Sequence, residues 1–194
     1  TADGRYLVSA ATDKTIRVWD TRTKKEVRKI LGQVGEGSDG KIYAIALSPD
    51  DRWLAVGGYF NPNDVVRLYD FQTGELKQLL KSHSNVIQDL AFSADGRWLV
   101  SGSADQSVKV WNAQNGFRLE RTLEEHTNVV YAVGVLPDGR VVSAGGDNQV
   151  LLWAGTTIAA RYKAQDKMLS LAISDNWIAA AGFGKEILVF DHDL

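Results

Sequence analysis

A histidine, a serine and an aspartate recur twice in the same order and at nearly the same spacing, as His83, Ser101 and Asp105 and again as His126, Ser143 and Asp147. These are the residue types of a nucleophilic triad, in which an imidazole takes the hydroxyl proton and a carboxylate orients the imidazole. Each set, however, ends at a tryptophan a fixed distance on, Trp111 and Trp153. A catalytic trio has no use for an indole at constant spacing or for a second copy of itself, so the pattern reads as structural and no catalytic residue is assigned. A phosphate cradle is the next chemistry to weigh. Gly35-Glu36-Gly37-Ser38-Asp39-Gly40 fits G-x-G-x-x-G, and the run from Gly35 to Lys41 fits most of a P-loop. Yet Ile42 stands where a Ser or Thr would hold Mg²⁺, and a strand-like run, 42–47, follows where phosphates need a helix N-terminus. The segment reads as a loop between strands, and no cofactor is expected. Of the three histidines, two belong to the repeated sets and His192 lies in the tail Asp191-His192-Asp193-Leu194, with no cysteine to join them. No metal site is expected from such a set.

The elements that carry these residues are themselves repeated. Five short strand-like runs end in an aromatic: Ile16-Arg17-Val18-Trp19-Asp20, Val66-Arg67-Leu68-Tyr69-Asp70, Val108-Lys109-Val110-Trp111-Asn112, Val150-Leu151-Leu152-Trp153-Ala154 and Ile187-Leu188-Val189-Phe190-Asp191. The aromatics are 50, 42, 42 and 37 residues apart. A period of about 40–45 residues with a Trp-Asp ending marks a propeller of four-stranded blades. Turn signals keep step: Asp3-Gly4-Arg5, Pro49-Asp50-Asp51-Arg52, Asp95-Gly96-Arg97, Pro137-Asp138-Gly139-Arg140 and Asp175-Asn176. Glycine after aspartate accepts positive φ without steric cost, which makes a tight hairpin turn. Apolar or alternating runs between the landmarks have strand length, and no helix is expected. In the third unit, strands a to d fall at about 86–92, 98–102, 108–112 and 118–123. Ala46, Ala91 and Ala172 recur in strand a, where blades crowd toward an axis. Trp53, Trp98 and Trp177 open strand b and read as packing between blades.

This organisation resembles the WD-repeat family over essentially the whole chain. The fold class implied is all-β, a β-propeller segment of about five four-stranded antiparallel blades, the first and last incomplete. The segment is taken as one domain, 1–194, with repeats near 1–37, 38–82, 83–125, 126–164 and 165–194. Family blades link a His before strand a, a Ser or Thr in strand b, an Asp in the b–c turn and the Trp of strand c. Here His83, Ser101, Asp105 and Trp111 match, as do His126, Ser143, Asp147 and Trp153; the first unit keeps Ser9, Asp13 and Trp19. The second unit departs with Ser38, Val56, Asn63 and Tyr69, and the fifth with Ala180, Gly184 and Phe190. A buried indole N–H needs an acceptor, and the Ser can supply it. The first unit begins at strand b and the last stops after strand c, so the resemblance implies part of a larger propeller, completed by further blades, a second copy or a partner.

Composition narrows the function. The formal charge is -2, and no basic stripe invites nucleic acid or an anionic membrane. No 18-residue apolar run is present. The absence of cysteine suits a reducing compartment, and a cytoplasmic location is expected. The resemblance implies a scaffold or sensor that binds a protein or peptide on the face of the d–a and b–c loops. Rim positions carried over from the family are Lys41, Tyr43 and Pro62, then Val86, Gln88 and Ala104, then Val129, Tyr131 and Gly146, then Lys167, Leu169 and Phe183. The second unit adds a Gly-rich run, 32–40, and Tyr59-Phe60-Asn61-Pro62, which enlarges its b–c turn. Tyr43, Tyr59 and Phe60 are expected to anchor the partner. A second reading makes the chain the regulatory part of a larger enzyme. The stretch 95–103, Asp-Gly-Arg-Trp-Leu-Val-Ser-Gly-Ser, resembles bacterial members, whose propellers are often fused to protease, kinase or nucleotide-dependent switch domains. A third, the propeller as a quinone-dependent dehydrogenase, lacks any converging carboxylate or metal cluster.

Overall fold

The turns build the blades. Gly4, Gly96 and Gly139 take left-handed φ of 68, 68 and 87° just before strand b, and Asp51, at the same place in the second unit, takes 55°. Aspartate is one of the few L-residues that tolerate this region. The b–c turns have their own local logic. Asp13, Asp105 and Asp147 each accept the backbone N–H two residues on, from Thr15 (3.1 Å), Ser107 (3.0 Å) and Gln149 (3.1 Å). The residue between, Lys14, Gln106 or Asn148, is left-handed. An Asx-turn thus closes the hairpin before any long-range contact forms.

In this computed structural model the structure describes residues 1–31, 37–60 and 65–194. The first sheet has three antiparallel strands, β1 (Tyr6–Ala10), β2 (Thr15–Asp20) and β3 (Lys25–Leu31). Three four-stranded sheets follow: β4 (Lys41–Leu47), β5 (Trp53–Tyr59), β6 (Val65–Asp70) and β7 (Leu76–Lys81); β8 (Ile87–Phe92), β9 (Trp98–Ser103), β10 (Val108–Asn112) and β11 (Arg118–Leu123); β12 (Val130–Val135), β13 (Val141–Gly145), β14 (Gln149–Ala154) and β15 (Thr157–Lys163). The last has three, β16 (Met168–Ile173), β17 (Ile178–Gly182) and β18 (Leu188–Phe190). All pairings are antiparallel between chain neighbours, and the fold is the expected all-β series of blades. The one departure among the described residues is a single 3-10 turn, Ala113–Asn115.

Two irregularities repeat. The c–d pairing slips just before the terminal aromatic of blades one to four, at Val18/Trp19, Leu68/Tyr69, Val110/Trp111 and Leu152/Trp153. The a–b pairing slips near the start of strand a in blades two, four and five. There the backbones close up: a Cβ on Gly58 or Gly182 would come 2.1 or 1.8 Å from the carbonyl oxygen of Lys41 or Lys167. Only glycine fits at those two positions.

The chain divides into two units, Thr1–Ile87 and Gln88–Leu194. In the first, Ile16, Val18 and Ile30 of blade one form one core cluster with Ile42, Leu54, Val56, Phe60, Tyr69 and Phe71 of blade two. In the second, Val100, Val108 and Val110 pack with Val141, Leu151 and Trp153 of blade four. The other face of blade four, including Val142, Ala144, Val150 and Leu152, packs with Met168, Ile178 and Ala180 of blade five. Blade four is therefore buried on both faces, each large apolar side chain contributing about 1.5–3 kcal/mol. Two expectations fail here. Ala172 is exposed and Ala46 and Ala91 only half-buried. Trp177 is 57% exposed; Arg52 and Arg97 lie over the Trp53 and Trp98 rings, whereas Asn176 precedes Trp177.

Candidate functional site

Blade four brings His126, Ser143, Asp147 and Trp153 together. The Trp153 Nε1–H donates to Ser143 Oγ at 2.8 Å, and Ser143 Oγ lies 2.8 Å from His126 Nε2. His126 Nδ1 lies 2.9 and 3.1 Å from the two Asp147 oxygens. The arrangement is a relay with one sense: indole to hydroxyl, hydroxyl to imidazole, imidazole to carboxylate. Burial pushes the His126 pKa below its ordinary value, against the upward pull of Asp147. Burial alone would raise Asp147, but the Thr127 N–H, His126 and the Gln149 amide outweigh it and hold the carboxyl below its usual range. The imidazole is thus neutral at pH 7, as the relay needs.

This geometry answers the triad question. A nucleophile needs an exposed oxygen with a lone pair aimed at substrate. Ser143 has no exposed surface, and its oxygen already receives the indole proton. The cluster is a buried strut.

The indole-to-serine pairing recurs elsewhere. Trp111 Nε1 donates to Ser101 Oγ at 3.0 Å, and Trp19 Nε1 to Ser9 Oγ at 2.8 Å. Asp105 accepts the Ser107 hydroxyl at 2.7 Å, Asp13 accepts the Thr15 hydroxyl at 2.7 Å, and His83 is buried. Blade two fills the corresponding space with carbon. Val56 and Tyr69 are buried there, and so is Phe60, 2% exposed. Phe60 is therefore not a surface anchor. The strand runs on to Tyr59, and the next side chain turns into the core beneath the Arg67 guanidinium, 3.9 Å from the ring centroid. Blade five has Ala180 opposite Leu188, as blade four has Ser143 opposite Leu151.

Of the other rim candidates, Tyr43 is 47% and Phe183 70% exposed. Lys41, Tyr59, Gln88 and Tyr131 are half-buried. Tyr131 lies against the b–c turn of its own blade, since a Cβ on Gly146 would come 3.2 Å from its Cε2. Pro62 and Asn63, like Gly32 to Glu36 of the Gly-rich run, lie outside the described residues; a strand, β4, follows that run. His192 Nε2 is 3.1 Å from the Ser174 carbonyl. Among the described residues no three His, Cys, Asp or Glu side chains are placed to share a metal ion, and no helix is long and apolar enough to cross a membrane.

One group escaped the sequence reading. Asp89, in β8, accepts the Val133 N–H of β12 at 2.9 Å and the Leu90 N–H at 2.9 Å. Burial pushes its carboxyl up to about 6. The available signal was an acid sharing a strand face with Ile87 and Ala91.

Compared with known proteins, the chain matches the family described as WD domain, G-beta repeat over residues 1–20, 28–70, 74–112 and 117–154. It is 36% identical over 108 residues to the target of rapamycin complex subunit wat1 of Schizosaccharomyces pombe, covering 55% of this chain and 32% of that protein. It is 27% identical over 152 residues to the transcription factor unc-37 of Caenorhabditis elegans, 78% of this chain and 23% of that one. With the WD repeat-containing protein sll1491 of Synechocystis it shares 34% over 117 residues, 60% of this chain and 31% of the relative. The matched stretch spans a third or less of these relatives' length.

Proposed function

This chain belongs to the WD-repeat family, and on that premise we propose that it is a protein-binding scaffold or sensor that docks a partner on its d–a and b–c loops. The observation that carries the reading is Phe183, 70% exposed in the b–c turn of blade five. A large aromatic at a loop tip, on a sheet packed from behind, is the raw material of an interface hot spot. Tyr131 in the second unit, and Tyr43 with Lys41 and Tyr59 in the first, supply further aromatic and cationic contacts at equivalent places; Gln88 adds a polar one. The rigid sheets hold these side chains at low entropic cost, so binding follows from shape and rim chemistry. The names of relatives support a partner of this class: one is a complex subunit and another a G protein β subunit. A cytoplasmic location is part of the same reading.

The test is a comparison of loop ends. A partner is isolated on the immobilised chain and its affinity measured for Tyr43→Ala, Phe183→Ala and Trp177→Ala. Trp177 is an exposed aromatic at the a–b turn, the other end of the hairpin. The expected result is about a tenfold loss for one or both of the first two, equal to about 1.4 kcal/mol, and none for Trp177→Ala. Loss confined to Trp177→Ala would refute the reading.

A further inference from the structure

Blade five has no polar strut, and what replaces it is space. Alignment by strand register puts Ala164, Ala180, Gly184 and Phe190 where blade four has His126, Ser143, Asp147 and Trp153. Each replacement is smaller. A cavity of about 420 Å³ opens beside them, bordered by Ala164 and Gly184 themselves. That volume falls within the range of pre-formed ligand sites, about 300–1,000 Å³. A Cβ on Gly184 would meet nothing closer than 3.4 Å, an Asp166 oxygen, so the small residue there is not demanded by packing.

The lining divides in two. Met168, 3% exposed, and Leu188 give an apolar floor, and Tyr162 and Phe183 stand at the sides as exposed rings. Asp166 and Glu186 sit at the mouth with Lys185, an excess of one negative charge. None of the three takes part in an ion pair among the described residues.

Other blades show what such a place receives. In blade one Arg17, opposite Ser9, reaches Glu26 at 2.9 Å and Asp13 at 3.4 Å. In blade two Arg67, opposite Val56, covers the Phe60 ring. In blade four Arg161 of strand d donates to Gln149 at 3.0 Å and reaches Glu125 at 3.4 Å. Glu186 occupies the position of Gln149. Blade five keeps acids and aromatics at this level but has Leu188 in place of the strand-c base.

We propose that the cavity over blade five is a subsite for an arginine side chain presented by a protein partner, its stem on Met168 and Leu188 and its guanidinium against Asp166, Glu186 and the flanking rings. The ligand is amphipathic because the pocket is: an aliphatic stem covers apolar floor while the planar cation meets carboxylates and π-faces. The inference rests on partner docking at the d–a and b–c loops and names one residue type that docking would use.

The test reads the pocket without the partner. The ¹⁵N-labelled chain is titrated with N-acetyl-arginine methylamide and, separately, with the norleucine and glutamate analogues. The arginine probe is expected to shift the amides of Gln165 and of Phe183 to Glu186; the other two are not. In Asp166→Asn/Glu186→Gln, both sites exposed, the spectrum elsewhere is expected to stay unchanged while the arginine probe binds at least about tenfold more weakly, as loss of charge-assisted hydrogen bonds requires. Absence of shifts, equal shifts from norleucine, or undiminished binding in the double variant overturns the proposal. A chain that fails this titration yet still loses its partner on Phe183→Ala leaves the interaction reading standing and removes only the arginine.

Discussion

Blades four and five occupy the same unit and share one backbone plan, yet they finish their upper ends in opposite ways. In blade four an indole, a hydroxyl, an imidazole and a carboxylate close on one another, and Trp153 is 1% exposed. In blade five the four positions carry Ala164, Ala180, Gly184 and Phe190, and Phe190 is half-buried, edge-on to Tyr162 at 4.9 Å. The register of strands b and c is nevertheless the same, Ser143 opposite Leu151 and Ala180 opposite Leu188. The hydrogen-bonded strut is therefore not what makes a blade. Turn chemistry and apolar burial make it, and the side chains at the strut positions then determine whether its end is solid or open. Blade two, with Val56, Tyr69 and Phe60 buried, is a third solution in which carbon fills the volume.

Truncation of the terminal aromatic separates the two most widely. Trp153→Ala empties a fully packed site and forfeits the indole hydrogen bond, and is expected to cost about 3–5 kcal/mol. Phe190→Ala, from a half-buried site, is expected to cost about 1–2 kcal/mol. Urea midpoints of the two variants check the order; equal losses would mean that the strut adds nothing to packing. Next in size is the hydroxyl. Ser143→Ala leaves the Trp153 N–H without its acceptor and His126 Nε2 without its donor, at about 2–4 kcal/mol for the two buried groups. The reverse change in blade five, Ala180→Ser, buries a hydroxyl where neither imidazole nor indole waits, and is expected to destabilise by about 1–2 kcal/mol. A gain in stability from Ala180→Ser would show that blade five already holds a partner for it.

The joints between blades differ as well. Asp89 of blade three clasps the Val133 N–H of blade four; the matching residue of blade four, counted from His126 as Asp89 is from His83, is Ala132. With its folded pKa raised to about 6, this carboxyl contributes most to stability below its ordinary 3.8, and the contribution is lost as pH rises through 6. A carboxyl so displaced costs up to about 3 kcal/mol when ionised, reduced to about 1–2 kcal/mol by its partial exposure. Asp89→Asn keeps an acceptor for Val133 and is expected to stabilise the chain by that amount at pH 7.5, with the gain shrinking toward pH 4. A loss at pH 7.5 would mean that the charge itself holds the clasp.

Most of the architecture was legible because its causes are local. The aromatic at the end of strand c, the Asp-Gly turns and the b–c aspartates each act within a few residues, so their spacing reveals the strands. The misreadings have a common origin in side-chain direction. Phe60 lies in an enlarged turn and reads as surface, but its ring packs into the core with Val56 and Tyr69, and Arg67 covers it. Trp177 resembles Trp53 and Trp98, but Asn176 precedes it where Arg52 and Arg97 precede the others and lie over their rings. Asp89 finds its partner 44 residues away, a distance at which no periodicity speaks. The cavity of blade five was visible only as an absence of strut residues; that the space stays open depends on how the strands around it pack.

The smallest contrast is in pH response, and it needs the Asp89→Asn background to be seen. His126 has a folded pKa below its ordinary 6.5, so its contribution is fully present above 6.5 and is lost as pH falls, because the unfolded chain takes up a proton that the folded chain refuses. Asp147, also depressed, has the same sign but begins to act only below about 4. Between pH 7.5 and 5.5 the wild-type chain therefore loses stability through His126 while Asp89 returns some. Removing Asp89 as a titrating group leaves the imidazole, whose effect is at most about 1.4 kcal/mol by pH 5.5. Amide exchange localises it: protection in β13 is expected to fall over this interval relative to β17, where Ala164 offers nothing to titrate, and His126→Gln is expected to abolish the difference. Equal falls in both strands would place the proton elsewhere and would mean that the blade-four relay keeps its neutral imidazole for reasons other than burial.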